Sequence, residues 1–506
     1  MSLLLMMAVL FVAGALGWLL EAYHRSAPHW ITLAGILLAL LLLATYLPEV
    51  TATYRGAPVP DGSWDSLNLD WIPRFGIRFS IAIDGLSFVM LALTLLAGLF
   101  GLLMCWREIK FRTGFFCANY LWVLTGVVGV FVARDLFLFF CFWEIMLVPM
   151  ALLIAIWGHG RRMAAAIQFF IFTQASSLFL LVASIGAVLV HFQQSGYISF
   201  DPGDLSSTLR SGFGDSRQAF WLMLGFFIAF AVKLPVVFLH IWLPDAHTRA
   251  PTAGSILLAA VLLKTGAYGL IRFALPLFPD ASAKLAPLAC VLGAAGILYG
   301  ALMAFAQTDL KRLIAYSSIS HMGFVLLGIY SLNETAMQGA IAQMVAHGFS
   351  TAALFGLAGA LYHRMNTRNM QDLSGLSVQA PKLAAGLLFF TVSAMGLPGL
   401  ANFVGEILIL AGSFPQRPWL TAVAAVGLIG AAIYGLKLLV HLLFGTPKQS
   451  DSHTSPVQPT LDLQWRELLA LALPLLFLVW LGLHPLPMLQ QTKPWSEQVL
   501  TPGGPS

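Results

Sequence analysis

Cutting the chain at its charged, Pro-rich and Gly-rich joints leaves apolar runs near residues 3–20, 29–47, 81–104, 115–132, 136–157, 164–191 and 220–243. Further runs lie near 254–277, 285–306, 312–331, 336–361, 384–412, 419–444 and 468–489. Each approaches or exceeds the roughly 20 residues that cross a bilayer core as a helix. The pattern predicts an all-α polytopic membrane protein of about fourteen transmembrane helices joined by short loops. An even count puts both termini on one side. The first run, 3–20, has no Lys or Arg before it. It lacks the basic start of a cleavable leader and is expected to stay as a helix.

Composition agrees with this pattern. Apolar residues make up 59% of the 506 and charged ones 10%, against roughly 45–50% and 25% in soluble proteins. Too few charges remain to cover a soluble surface. The net charge of +5 is spread along the ends of apolar runs rather than gathered in a patch, which gives no basis for nucleic-acid binding and suits a topological role. Cys105, Cys117, Cys141 and Cys290 show no C-x-x-C spacing, so no metal or iron–sulfur framework is expected and they are read as small core residues. No Gly-rich nucleotide fingerprint is present, which predicts no cofactor site in this chain.

A repeat becomes visible when two stretches are laid over each other. Asp135-Leu136 recurs as Asp309-Leu310, Ala166-Ile167 as Ala340-Ile341, and Ser176 as Ser350. Leu234-Pro235 then recurs as Leu397-Pro398, and Tyr268-Gly269-Leu270 as Tyr434-Gly435-Leu436, at a shorter offset. Copies of five helices, 115–277 and 285–445, would be flanked by three N-terminal helices in 1–114 and by helix fourteen and a tail in 446–506. An odd number of helices makes consecutive copies enter the membrane from opposite sides, an inverted repeat. The Leu-Pro pair falls within the fourth helix of each copy, where proline removes a backbone donor. Discontinuous helices at matching positions of two repeats point to an ion path.

Ionisable residues lie deep in these runs. Glu144, Lys233 and Lys264 sit ten or more residues in, roughly 15–20 Å at 1.5 Å per residue. His321, His347 and Glu406 reach similar depth in the second copy. Each central charge costs about 2.5–3.5 kcal/mol on insertion scales, so packing alone is a poor reason to keep them. Desolvation pushes Lys down and Glu up toward neutrality, and neighbouring opposite charge pulls both back, so moving one charge can switch the next. The expected path has Glu144 tuning Lys233, Lys264 as central relay, and the two histidines bridging to Glu406. A buried Glu144–Lys233 pair that only fixes helix register is the competing structural reading. Lys437 and His441, nearer the end of their run, are left out as snorkelling groups.

The stretch FFIAFAVKLPVVFLHIWLPDAH at 226–247, followed by APTAGSILLAAVLLKTGAYGL, resembles the antiporter-like subunits of respiratory complex I and the related Mrp-type cation/proton antiporters. The resemblance extends through Trp71 to Gly76, Asp84-Gly85-Leu86-Ser87, FWEIMLVPM at 142–150 and NFVGE at 402–406. Glu406 stands where the L and N subunits generally carry Lys, which sets the chain apart from both. The resemblance implies a proton-translocating subunit of NADH:quinone oxidoreductase with two half-channels joined at mid-membrane through Glu144, Lys233, Lys264, His321, His347 and Glu406. It further implies no redox centre in this chain, with NADH, FMN, iron–sulfur clusters and quinone handled by partner subunits, and the L and N subunits as neighbours. A cation/proton exchanger of the Mrp type is the alternative. About fourteen basic residues fall on one set of loops and about ten on the other, which favours both termini outside. A bacterial cytoplasmic (inner) membrane, with the termini on its periplasmic side, is therefore expected.

Overall fold

A computed structural model describes residues 1–56, 63–212, 216–445 and 462–500. Among them, twelve helices are long and apolar enough to cross a membrane, from Ser2–Leu20 to Trp465–Leu483. Two further crossings are each made by a pair of shorter helices: Ser216–Lys233 with Trp242–Arg249, and Pro381–Ala394 with Ala401–Ser413. Together they account for the runs read from the sequence. Of the tail expected from residue 446, residues 446–461 and 501–506 lie outside the described residues.

Helix starts follow from short polar side chains that satisfy the first free backbone donors, each cap contributing about 1 kcal/mol. Asp135 accepts from the amides of Phe137 and Leu138 at 2.9 and 3.0 Å. Asp309, its counterpart 174 residues on by the sequence numbering, accepts from Arg312 N at 3.0 Å. Asp84 and Asn333 cap two more helices in the same way.

Burial separates an inner set of helices from an outer one. The apolar stretches of Thr252–Leu277, Leu310–Tyr330 and Glu334–Met365 are wholly buried, whereas that of Ala27–Ala44 is 33% buried. The enclosed three carry Lys264, His321 and His347. Peripheral helices instead present side chains such as Leu19, Trp30, Leu41 and Leu476 outward, the surface expected to face lipid or neighbouring subunits.

The helix expected from residue 81 begins later. Ile81, Ala82 and Ile83 belong to a strand, Ile77–Ile83, paired antiparallel with Asp65–Ile72, and the helix starts at Gly85 behind the Asp84 cap. Alternating β-branched residues favour the strand, and the cap fixes where it gives way to helix. The last apolar run is also divided. Trp465–Leu483 ends before His484-Pro485, and a second helix, Leu486–Leu500, follows. Pro485 lacks an amide donor and drives the preceding residue out of helical geometry. This second helix packs at the hairpin's end of the bundle, where Gln491 donates to Val50 O at 2.8 Å.

In lipid each carbonyl freed by a helix break needs a partner within the protein. At the first break Trp242 Nε1 donates to Val232 O at 3.0 Å and Val236 N reaches Ala231 O at 2.9 Å. At the second, Gly396 and Gly399 both have left-handed φ, 76° and 94°, a conformation that glycine adopts without steric cost. A third irregularity was not visible in the runs. Thr252–Leu277 widens into i→i+5 turns at Leu258–Leu262 and Leu270–Ala274, a local loosening often found at functional positions.

Candidate functional site

The inner helices bring four of the six expected residues into one connected line. Lys264 follows the first widened turn, and its Nζ lies 2.5 Å from Ala259 O and 2.6 Å from His347 Nδ1. When Lys264 donates across this contact, Nδ1 of His347 accepts and the ring carries its proton on Nε2. The His347 and His321 rings follow at a centroid distance of 5.4 Å. His321 Nδ1 is 3.1 Å from Glu406 Oε1.

Two residues absent from the sequence expectation complete this end. Gln343 Nε2 lies 3.1 Å from Glu406 Oε1 and 3.3 Å from His321 Nδ1. Tyr434 Oη lies 3.3 Å from His321 Nε2. With the tyrosine donating to Nε2, His321 holds its proton on Nδ1 and donates it to Glu406, and Gln343 donates to the same carboxylate oxygen. All four groups then have consistent roles. Gln343 sits four residues before His347 on one buried helix, so its place on the same face was available from helical spacing. Tyr434 matches Tyr268 as a repeat position, a correspondence that carries no chemistry by itself.

The break before Ala401–Ser413 gives Glu406 its room. Glu406 is 2% exposed, and a Cβ on Gly396 would collide with its Oε2. Glycine is therefore required at 396 both for its φ and for the space it leaves the carboxylate.

The first half is built differently. Lys233 ends Ser216–Lys233 and is 1% exposed. The carbonyl end of a helix favours a cation. Its Nζ has no hydrogen-bond partner among the described residues and lies over the rings of Trp143 and Phe169, 5.2 and 5.6 Å from their centroids. Glu144, one position from Trp143, closes the helix Leu136–Ile145. No ion pair within 4.0 Å joins Glu144 to Lys233, and Glu144 Oε1 is buried with no hydrogen-bond partner among the described residues. No ion pair therefore carries the expected tuning of Lys233 by Glu144, which leaves an electrostatic influence through space, and the Lys233 amine is lined by aromatic faces. Helix Thr252–Leu277 packs close by, since a Cβ on Gly266 would lie 3.0 Å from that of Lys233.

Lys437, set aside as a snorkelling residue, bonds the carbonyls of Phe305 and Gln307 at the end of Pro279–Ala306, a cation at a helix C-terminus. Apart from the path, Asp84 joins Arg272 and Arg134 at 2.7 and 3.0 Å, and Tyr268 accepts from Arg272 Nε at 2.9 Å. Tyr268 and Tyr434, partners in the repeat, therefore do different work.

Enclosed ionisable side chains beside paired helix breaks define an ion-translocating polytopic membrane protein. The model of the family NADH:quinone oxidoreductase/Mrp antiporter, TM matches residues 133–433, and the chain belongs to that family. It is 51% identical over 489 residues to NADH-quinone oxidoreductase subunit M of Pseudomonas aeruginosa, covering 95% of this chain and 93% of that one. A chain in the structure of respiratory complex I from Thermus thermophilus with bound NADH superimposes with a TM-score of 0.84 at 32% identity, covering 99% of both. A chain of the Mrp complex from Dietzia sp. DQ12-45-1b superimposes with a TM-score of 0.79 at 22% identity, covering 98% of each. The last shares the fold.

Proposed function

We propose that this chain is the M-type antiporter-like subunit of an NADH-quinone oxidoreductase and moves protons across the membrane through Glu144, Lys233, Lys264, His321, His347 and Glu406. The observation that carries this reading is the buried line Lys264–His347–His321–Glu406, hydrogen-bonded at its two ends and joined by two imidazole rings whose centroids lie 5.4 Å apart. Imidazoles are suited to pass a proton along such a line because they donate at one nitrogen and accept at the other. Lys233 and Glu144 form the first half-channel, and Glu406 the second.

The chain has no engine of its own in this reading. Partner subunits carry NADH, FMN, iron–sulfur clusters and quinone, and the L and N subunits are its membrane neighbours. Both termini lie on the periplasmic side of the cytoplasmic membrane. The test is Lys264→Ala in the assembled complex, with proton pumping and NADH:quinone electron transfer both measured. Pumping is expected to fall at least tenfold, about 1.4 kcal/mol in barrier terms. Undiminished pumping with the complex intact would leave the charges as structural glue.

A further inference from the structure

A cavity of about 170 Å³ opens at the bundle end where Gly85–Cys105 finishes and Trp465–Leu483 begins. Arg107, Arg364 and Arg466 line it together with Glu108, Gln464 and Glu467. The carboxylates are already engaged. Glu467 holds Arg364 at 2.6 Å and accepts from Gln464 N at 2.8 Å. Glu108 accepts from Thr252 N at 3.1 Å and lies 3.9 Å from His159. Neither Arg107 nor Arg466 has a carboxylate within 4.0 Å among the described residues. Arg107 spends one nitrogen on Gln464 Oε1 at 2.8 Å.

Donors remain unsatisfied around this space. The Nε groups of Arg364 and Arg466 are both buried without a hydrogen-bond partner among the described residues, and the Arg364 side chain is only 7% exposed. A buried guanidinium N–H without an acceptor is costly, and with Glu467 already paired to Arg364, the Arg107 and Arg466 guanidiniums beside it repel each other unless a further anion sits between them. The first turn of the 19-residue helix Trp465–Leu483 adds the positive end of its dipole. Trp465 is 73% exposed, and Trp106 meets Trp30, itself 61% exposed, in an edge-to-face pair. Exposed tryptophans of this kind mark headgroup level in a bilayer.

We infer that this cavity binds a phosphate ester, the headgroup phosphodiester of an anionic phospholipid, through Arg107, Arg364 and Arg466. Guanidinium forks match phosphate oxygens in geometry and charge. Basic pockets between transmembrane helices are suited to anionic headgroups. A phosphocholine headgroup would bring a trimethylammonium cation up to the guanidiniums, which disfavours zwitterionic lipid. The site is independent of the proposed proton path.

The test uses the assembled complex in nanodiscs of dioleoyl phosphatidylglycerol, and separately of dioleoyl phosphatidylcholine with and without 10 mM inorganic phosphate, a concentration on the order of that expected to saturate a weak anion site. Each sample is imaged by electron cryo-microscopy. A phosphate density bonded to Arg107 and Arg466 in phosphatidylglycerol alone, lost in R107Q/R466Q with NADH:quinone activity retained, is the expected result. Density that appears only with inorganic phosphate keeps the anion site and overturns its lipid occupant. Water-like or absent density in every wild-type sample overturns the proposal, whether or not the double variant assembles.

Discussion

The two repeats solve the same electrostatic problem in opposite ways. In the second, Glu406 is buried with two donors on one oxygen, and His321 is fixed on both sides by Glu406 and Tyr434. In the first, Lys233 has aromatic faces and the end of a helix, and Glu144 stands near it without an ion pair. A directed network sets the place of each proton, because His321 and Gln343 both point donors at one Glu406 oxygen. A π-face attracts a cation from any direction within its reach. The second half is therefore expected to be the more rigid, and the first to be the half in which charge can appear or vanish with little rearrangement.

This contrast can be tested by removing one element at a time. His321→Ala cuts the line between His347 and Glu406, and pumping per NADH oxidised should fall tenfold or more, about 1.4 kcal/mol or above. Pumping at the normal ratio would show that the histidine line is not the route. Gln343→Leu takes one of two donors from the Glu406 carboxylate, a loss of about 1–3 kcal/mol for a buried charged acceptor. Proton pumping in assembled complex should drop several-fold, and an unchanged ratio would mean that the second half tolerates a missing bond as readily as the first.

Trp143→Leu weakens the hold on Lys233 by about 0.5–2 kcal/mol. The complex should assemble and pump a few-fold more slowly, and the same change at Phe169 should act in the same direction. Tyr434→Phe has the smallest expected effect, about 0.5–1.5 kcal/mol for one neutral hydrogen bond. It frees His321 to change tautomer, so the pumping ratio should fall while thermal stability of the complex barely moves. Tyr268→Phe should do the reverse, because Tyr268 donates to Phe131 O and accepts from Arg272. Equal behaviour of the two tyrosine variants would erase the distinction between the halves.

Much of this arrangement was readable from residue order. Runs near bilayer length located the crossings, Asp135 and Asp309 announced helix starts, and the paired Leu-Pro positions marked both breaks. Lys264, His321, His347 and Glu406 stood out because a charged or titratable group in an apolar run is too costly to be incidental. Gln343 did not, because a single amide among small apolar residues carries little cost when bonded and so leaves little signal. The strand at Ile77–Ile83 was hidden because a short apolar run next to a longer one reads as the helix's first turn.

The sequence by itself determined that the chain crosses a membrane many times, that two stretches repeat, and that ionisable groups lie at bilayer depth. Those conclusions need only hydropathy, the rise of a helix and residue pairs that recur at matching offsets. Which charges touch was decided by tertiary structure alone. Glu144, expected to tune Lys233, stays outside ion-pair distance of it, so the buried-pair alternative lacks its contact, while Lys264 and His347, 83 residues apart in sequence, meet at 2.6 Å. Contact between helices depends on rotation about their axes and on the shape of the breaks, set by packing of many neighbours at once, and no single run of residues records it.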